Sequence, residues 1–238
     1  MIFASLLFLS TFILQEGNEA KDLFEQMAKK MDNAKTLQIE FETMNQRGDE
    51  KREASGTLAL ADENRMRIEL VMASPRGDQK VLILSNGKKT FQIQGSRRRE
   101  IETAEGRNEL VQQISSRLGV MVGFMFSEPS AKVGDRKKID EFVTLTDFKM
   151  GVSEKVDGRE ANLVSFLARI SIKDDEAAIK VWIDSETGLP LKRSITPYRD
   201  GKPSEDEMLE TYVKITLDAE IPADHFAIPA EEPEKKEK

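Results

Sequence analysis

The sequence predicts a mainly β protein with helical additions (α+β), in which a single strongly curved antiparallel sheet forms an open, incomplete β-barrel covered by helices. Runs that alternate apolar and polar residues recur between short turns from Leu37 onward, as in strands with one solvated face. Connections this short cannot make parallel crossovers, so we expect the strands to be antiparallel. A sheet of about ten strands tends to curl or to wrap around something, and two helical pieces would supply the cover.

The first third of the chain is predicted to be a helix followed by paired strands. Apolar residues at helical spacing indicate a helix over Asp22–Ala34, and alternation from Leu37 to Phe41 indicates the first strand. The pair Asn86-Gly87 predicts a hairpin with a type I′ turn. The strands expected around that hairpin run through Leu58–Leu60, Met66–Leu70, Lys80–Leu84, Thr90–Ile93 and Arg97–Ile101.

The stretch Leu118–Phe126 is an apolar run without a polar side chain, inside a helical insert over Arg107–Phe126. It is too short to span a bilayer, which needs about 20 apolar residues. One interpretation is a buried helix that fills a core. The other is a movable apolar flap over a lipid cavity, since Met121 and Met125 suit surfaces that accept variable apolar partners.

Strands resume after the insert and continue almost to the end of the chain. Trp182 alternates with Val181 and Ile183, so it is expected to point away from them. The predicted strands are Phe142–Leu145, Phe148–Val156, Ala161–Leu167, Ala177–Ile183, Leu189–Ile195 and Met208–Leu217.

The ends of the chain differ from this central domain. Residues 1–20 are predicted to be a signal peptide, because an apolar core from Ile2 to Leu14 is followed by polar residues and a small residue, Ala20. Residues 21–230 then form one domain. Residues 231–238 are predicted to be a disordered charged tail, because Glu and Lys dominate them.

Composition excludes several classes of function. The net charge of −7 argues against nucleic-acid binding, and the absence of Cys removes disulfides, thiolate metal sites and a lipidated cysteine. His225 is the only histidine, and G-x-S-x-G, P-loop and G-x-G-x-x-G patterns do not occur. The acidic clusters 174–176 and 205–207 lack calcium-loop spacing. We therefore expect no catalytic residue, no metal and no cofactor, and a protein that is not an enzyme.

The run Arg97-Arg98-Arg99 is a compact basic feature in an acidic chain. A solvated edge strand that carries charge against aggregation would explain it. A docking spot for anionic lipid headgroups or an acidic partner would explain it too.

Four stretches of the sequence resemble the outer-membrane lipoprotein carrier (LolA-like) superfamily, and together they span nearly everything after Ala20. The first helix and strand match over 22–41, the next two strands over 56–68, and the central hairpin over 81–91. The closing strands match over Trp182–Leu191 and over Val213–Pro229, which includes Ile221-Pro222 before Phe226. One departure is that Asp62-Glu63 stands where the classical carrier has the Arg-Pro pair that locks its lid.

The resemblance implies an open β-barrel closed by helices over an apolar cavity, with the Leu118–Phe126 stretch as its lid. It implies an exported periplasmic carrier that binds lipid or the acyl chains of lipoproteins, acts as a monomer and exchanges its guest with inner- and outer-membrane transfer proteins. The alternative is an envelope-stress sensor, a regulatory binding protein of the same fold. The residues expected to line the cavity are Leu58, Leu60, Met66, Ile68, Phe91, Ile93, Leu118, Met121, Phe124, Met125, Val164 and Phe166.

Overall fold

The computed structural model describes residues 6–62, 64–74, 77–104, 143–170 and 175–229, with side chains from residue 18 onward. These residues form a helix packed on one large antiparallel sheet. The helix α1 spans Leu6–Asp32 and a short 3-10 helix spans Ala223–Phe226. The strands are β1 (Leu37–Arg47), β2 (Glu50–Ala61), β3 (Arg65–Met72), β4 (Gln79–Asn86), β5 (Thr90–Gln94), β6 (Arg97–Ile101), β7 (Val143–Met150), β8 (Glu154–Val156), β9 (Arg159–Ile170), β10 (Asp175–Asp184), β11 (Pro190–Arg199), β12 (Lys202–Pro203) and β13 (Glu207–Leu217).

The sheet consists of two meanders joined by the first and the last strand. Its 13 strands follow the order β6-β5-β4-β3-β2-β1-β13-β11-β10-β9-β7, with β12 paired to β11 and β8 paired to β9. β1 runs antiparallel to β13 from the pair Leu37–Leu217 to the pair Gln46–Glu207. Within the part of the chain that the structure describes, each meander therefore ends in its own edge strand, β6 on one side and β7 on the other.

The prediction of one antiparallel sheet in a mainly β protein is confirmed, but the predicted strong curvature is wrong. The sheet is neither closed nor strongly curled, and within the described ranges its end strands β6 and β7 do not pair. The physical reason is that the two meanders extend in opposite directions from the β1–β13 pair, so β6 and β7 lie at opposite ends of the described strand order. The second predicted helical piece, Arg107–Phe126, lies outside the described residues, as does the tail 231–238.

Two local predictions need correction. The predicted helix Asp22–Ala34 is the second half of α1, which begins at Leu6 and continues through residue 20 without a break. The hairpin at Asn86-Gly87 exists, but it is not a type I′ turn, because Gly87 has a φ of 88° while Asn86 is not left-handed. Instead, Asn86 Oδ1 accepts the backbone N–H groups of Lys88 and Lys89 at 3.0 and 2.9 Å and closes a longer loop.

The register divides the sheet into two faces, because residues that pair directly point to the same side. We call the side on which α1 packs the helix face and the opposite side the outer face. The helix face carries two apolar clusters. The first cluster is Met31 with Leu37, Ile39, Phe41, Leu58, Leu60, Met66, Ile68, Leu70, Val81, Ile83, Ile101, Ala104 and Tyr212. The second cluster is Ala20, Phe24 and Met27 with Val164, Phe166, Ala168, Ile179, Val181, Ile183 and Ile195.

The outer face is partly covered by a C-terminal strap, defined as residues Asp218–Pro229. Phe226, which is 1% exposed, packs against Ala59 and Ala61 on β2. Two arginines hold the main chain of the strap: Arg67 Nη1 donates to the carbonyl of His225 at 3.3 Å, and Arg98 Nη1 donates to the carbonyl of Pro229 at 2.7 Å. The end of the chain therefore stabilises β2 to β6 from outside. His225 itself is exposed.

Gly56 marks the closest packing between β1, β2 and β3, and its substitution tests that packing. A Cβ at this position would lie 2.6 Å from the carbonyl oxygen of Glu69 and 2.7 Å from Cζ of Phe41. Because main chain and a buried ring must both shift, we expect Gly56→Ala to lower the free energy of unfolding by about 1–3 kcal/mol in urea denaturation. The exposed neighbour Ser55 supplies the control, since Ser55→Ala should change the free energy of unfolding by less than about 0.5 kcal/mol. Equal stability of the two variants would contradict this packing.

Candidate functional site: a groove between the helix and strand β7

A bulge in β7 directs an additional aromatic side chain onto the helix face. Thr146 pairs with Leu167 and Lys149 pairs with Ser165, so Asp147 and Phe148 together stand opposite the single residue Phe166. Asp147 takes up the irregularity with a φ of 57°, a left-handed conformation that Asp tolerates better than most residues. Bulges of this kind re-aim side chains at functional sites. Here the bulge puts Phe148 on the same face as Phe166.

Three phenylalanines meet where α1 crosses β7 and β9. The ring centroid of Phe24 lies 4.7 Å from that of Phe166 and 5.8 Å from that of Phe148, and the latter two are 4.9 Å apart. Phe24 and Phe166 are buried, whereas Phe148 is half-buried. The exposed part of this aromatic cluster is therefore the side that belongs to Phe148.

A groove of about 490 Å³ opens beside this cluster, between α1 and β7. Its size falls within the usual range of small-molecule sites, roughly 300–1,000 Å³. The apolar floor consists of Phe24, Ala28, Leu145 and Phe148. The rim consists of polar and charged side chains of α1, namely Lys21, Asp22, Glu25, Gln26, Lys29 and Asp32.

This arrangement suits an amphiphile rather than a reactive substrate. An apolar chain can lie on the aromatic floor while its polar end remains at the charged rim, where both signs are present and Lys21 pairs with Glu25 at 3.6 Å. Among the described residues, no three His, Cys, Asp or Glu side chains come together as candidate metal ligands.

The structure separates the residues that were predicted to line a cavity. Val164 and Phe166 lie in the second cluster, next to the groove, while Leu58, Leu60, Met66 and Ile68 lie together in the first cluster with at most 2% of their surface exposed. Phe91 and Ile93 do not join either group, because they pair with Leu84 and Leu82 on the outer face. Leu118, Met121, Phe124 and Met125 lie outside the described residues.

The groove residues Phe24, Leu145 and Phe148 were not among the predicted site residues. The predicted strands Phe142–Leu145 and Phe148–Val156 are instead one strand, β7, followed by the separate β8. The signal was present, because Leu145, Phe148 and Met150 break strict alternation by one position, which is what a bulge does to a strand pattern. Trp182 lies on the outer face with Ala161 and Leu191, as its alternation predicted.

Between the two apolar clusters, the helix face carries a buried polar group formed by Arg193, Glu210 and Tyr212. Arg193 Nη2 and the hydroxyl of Tyr212 both donate to Glu210 Oε2 at 2.6 Å, and Arg193 and Glu210 are each 1% exposed. Burial raises the pKa of Tyr212 well above its ordinary value, so the phenol keeps its proton and remains a donor. Burial is the largest single influence on Arg193 and lowers its pKa, but the electrostatic effects of Glu210 and Tyr212 and the hydrogen bond to Glu210 together outweigh it, so the pKa is raised.

Comparison with known proteins places the fold. No protein-family model matches the sequence, and no curated protein matches it either. Among solved structures, LprF from Mycobacterium bovis is 13% identical, with a TM-score of 0.50 over 90% of this chain and 97% of that one. MucB is 14% identical, with a TM-score of 0.46 over 90% of this chain, and this chain spans only 64% of the MucB chain. A putative outer membrane lipoprotein-sorting protein domain from Vibrio parahaemolyticus is 13% identical, with a TM-score of 0.38 over 87% of this chain and 97% of that one.

The likeness to LprF concerns the fold alone, because the identity is low. At that level it confirms the sequence-based resemblance: the chain has a LolA-like fold. No helix within the described ranges is both long enough and apolar enough to cross a bilayer.

The buried ion pair gives a test of how the helix face is held together. We expect Glu210→Gln to lower the free energy of unfolding by about 3–5 kcal/mol in urea denaturation, because it leaves the Arg193 charge buried beside a neutral amide. The double variant Arg193→Met/Glu210→Leu removes both charges and should lose less stability than Glu210→Gln alone. A double variant less stable than the single one would show that the charges themselves stabilise the fold.

Proposed function

We propose that the protein is a non-enzymatic carrier that binds the acyl chains of a lipid or lipoprotein and shields them from water in the periplasm. The observation that carries the proposal is the groove between α1 and β7, whose floor is apolar and aromatic and whose rim is charged. This division of polarity matches a guest with a hydrocarbon chain and a polar end.

Burial of hydrocarbon supplies the affinity that such a carrier needs. Each CH₂ group transferred from water to an apolar site contributes about 0.8 kcal/mol. A groove of about 490 Å³ has room for part of an acyl chain, so micromolar binding requires no covalent chemistry and no cofactor. Shielding the guest and releasing it to a partner are then the whole activity.

We propose that Phe24, Leu145 and Phe148 form the opening of the site, with Phe166 and Val164 directly beneath. The sheet residues Leu58, Leu60, Met66 and Ile68 would line a separate part of the helix face, across the buried Arg193–Glu210 pair from the groove. The apolar stretch that includes Leu118, Met121, Phe124 and Met125 would contribute a cover. Phe91 and Ile93 are left out of this site because they face the opposite side of the sheet.

The rest of the proposal concerns the surroundings of the protein. Export would use residues 1–20 as a signal, and the carrier would work as a monomer. Its guest would pass between transfer proteins of the inner and the outer membrane. The charged rim of the groove, which includes Lys21 and Lys29, is a surface from which a headgroup could be handed over.

Binding of a fluorescent long-chain fatty acid tests the groove. We expect the wild-type protein to bind the probe and Phe148→Asp to weaken the binding at least about tenfold, because a carboxylate replaces the exposed edge of the aromatic floor. Thr146→Asp is the matched control: it adds the same charge to the same strand, but on the outer face, and should leave binding unchanged.

A third variant separates lost binding from lost folding. Phe148→Trp keeps an aromatic side chain but fills more of the groove, so it should reduce probe binding while the melting temperature stays close to that of the wild type. Absence of probe binding by the wild-type protein, or equal weakening by the substitutions at positions 146 and 148, would refute the proposed site.

A further inference from the structure

The helix face changes from apolar to basic over the last three strands of the β6 side. On β4 the face presents Val81 and Ile83, which are buried in the first cluster. On β5 the paired positions are Gln94 and Gln92, and on β6 they are Arg97 and Arg99. Since adjacent strands lie about 4.8 Å apart, hydrocarbon gives way to amides and then to guanidinium groups within about 10 Å.

Arg97 and Arg99 differ from their neighbour Arg98, which has a structural role. Arg98 lies on the outer face, where its guanidinium is 4.2 Å from the ring centroid of Phe91 and donates to the strap at Pro229. Arg97 and Arg99 are exposed, and no ion pair to either occurs among the described residues. The chain has a net charge of −7, yet within the described ranges no carboxylate pairs with either of these two charges at the end of the sheet.

We propose that this basic edge, formed by Arg97 and Arg99 on β6, docks the protein on the surface of an anionic phospholipid membrane. The phosphate groups of such a membrane are complementary in charge to Arg97 and Arg99, whose side chains are exposed at this end of the described sheet. Each Lys or Arg near such a surface strengthens binding by roughly fivefold. The inference goes beyond the acyl site, because the edge would attract a membrane whether or not the groove holds a guest.

An acidic protein partner is the rival occupant, and the shape of the edge favours the membrane. Recognition of a peptide uses pockets for its side chains. Beside Arg97 and Arg99 on this face lie the amides Gln94 and Gln92 on β5 and the buried Ile101 on β6, so these described neighbours offer no exposed apolar side chain for a peptide to contact. A fluid layer of headgroups needs only charge and an exposed approach, and both are present here.

Flotation of the full chain with vesicles tests the proposal. We expect binding to vesicles of phosphatidylglycerol and phosphatidylcholine that exceeds binding to pure phosphatidylcholine and falls steeply as salt is raised. Arg97→Gln/Arg99→Gln should weaken this extra binding about 10- to 30-fold. The matched control is Lys51→Gln/Arg52→Gln, which removes the same charge from the β1–β2 hairpin. Both of these cations pair with glutamates, so the control should change the extra vesicle binding by less than about twofold.

The conservative variant Arg97→Lys/Arg99→Lys distinguishes the two occupants. Binding to a membrane surface depends on charge, so the lysine variant should keep most of the vesicle binding. Binding to a protein carboxylate that pairs with two guanidinium nitrogens would instead be lost in the lysine variant. Three results would each overturn the proposal: no preference for anionic vesicles, equal weakening by the two glutamine variants, and anionic-vesicle binding lost in the lysine variant. Vesicle binding and fatty-acid binding are measured separately. A negative result for the membrane-docking proposal therefore leaves the test of the acyl-chain site unaffected, and the reverse also holds.

Discussion

The pairing of β1 with β13 is the constraint on which the rest of the structure depends. These strands lie at opposite ends of the domain in sequence, yet they pair along almost their whole length and join the two meanders into one sheet. We call this β1–β13 junction the seam. It continues beyond the strands, since the N–H of Asp218 donates to the carbonyl of Thr36 at 2.9 Å and Asp218 Oδ1 accepts the N–H of Lys35 at 2.7 Å. Pairing strands so far apart in the sequence closes a long loop, and the contacts between β1 and β13 must offset the chain entropy that this costs.

The seam also determines where the polar and apolar parts of the helix face lie. Glu210 on β13 stands between Thr43 on β1 and Arg193 on β11, so the buried ion pair sits at the junction of the two meanders. An ion pair at this depth contributes little net stability, but it favours one register over another, because a slipped strand would bury an uncompensated charge. On one side of it the first cluster covers β1 to β4, and on the other side α1 packs on β7 and β9 beside the groove.

Much of the fold could be predicted because it depends on local signals. The alternation around Leu58–Leu60 and Met66–Leu70, and the turns at Asn86-Gly87 and Gly95, are each decided by a few neighbouring residues, and the strands lie where those residues indicate. Curvature could not be predicted this way, because it depends on whether strands far apart in the sequence, such as β6 and β7, pair with each other, and the alternation within one strand does not report that.

The residues that line the site stay a prediction. Alternation groups Leu58 with Ile68 on one face, but it does not say which face of β5 continues the helix face, and Phe91 and Ile93 lie on the outer face. The bulge at Asp147-Phe148 reverses which residues of β7 point to the helix face on either side of it. In the sequence, a single irregular position of this kind looks like an ordinary turn, so the bulge was not predicted.

The central claim is that this protein carries hydrocarbon in the space between a helix and a sheet. Native mass spectrometry of the protein, purified without denaturant from its own cell envelope, tests it most directly. We predict a mass above that of the polypeptide, with the excess released as an acyl-containing lipid on extraction into organic solvent. A bare polypeptide mass that does not increase when long-chain lipid is added would contradict the account.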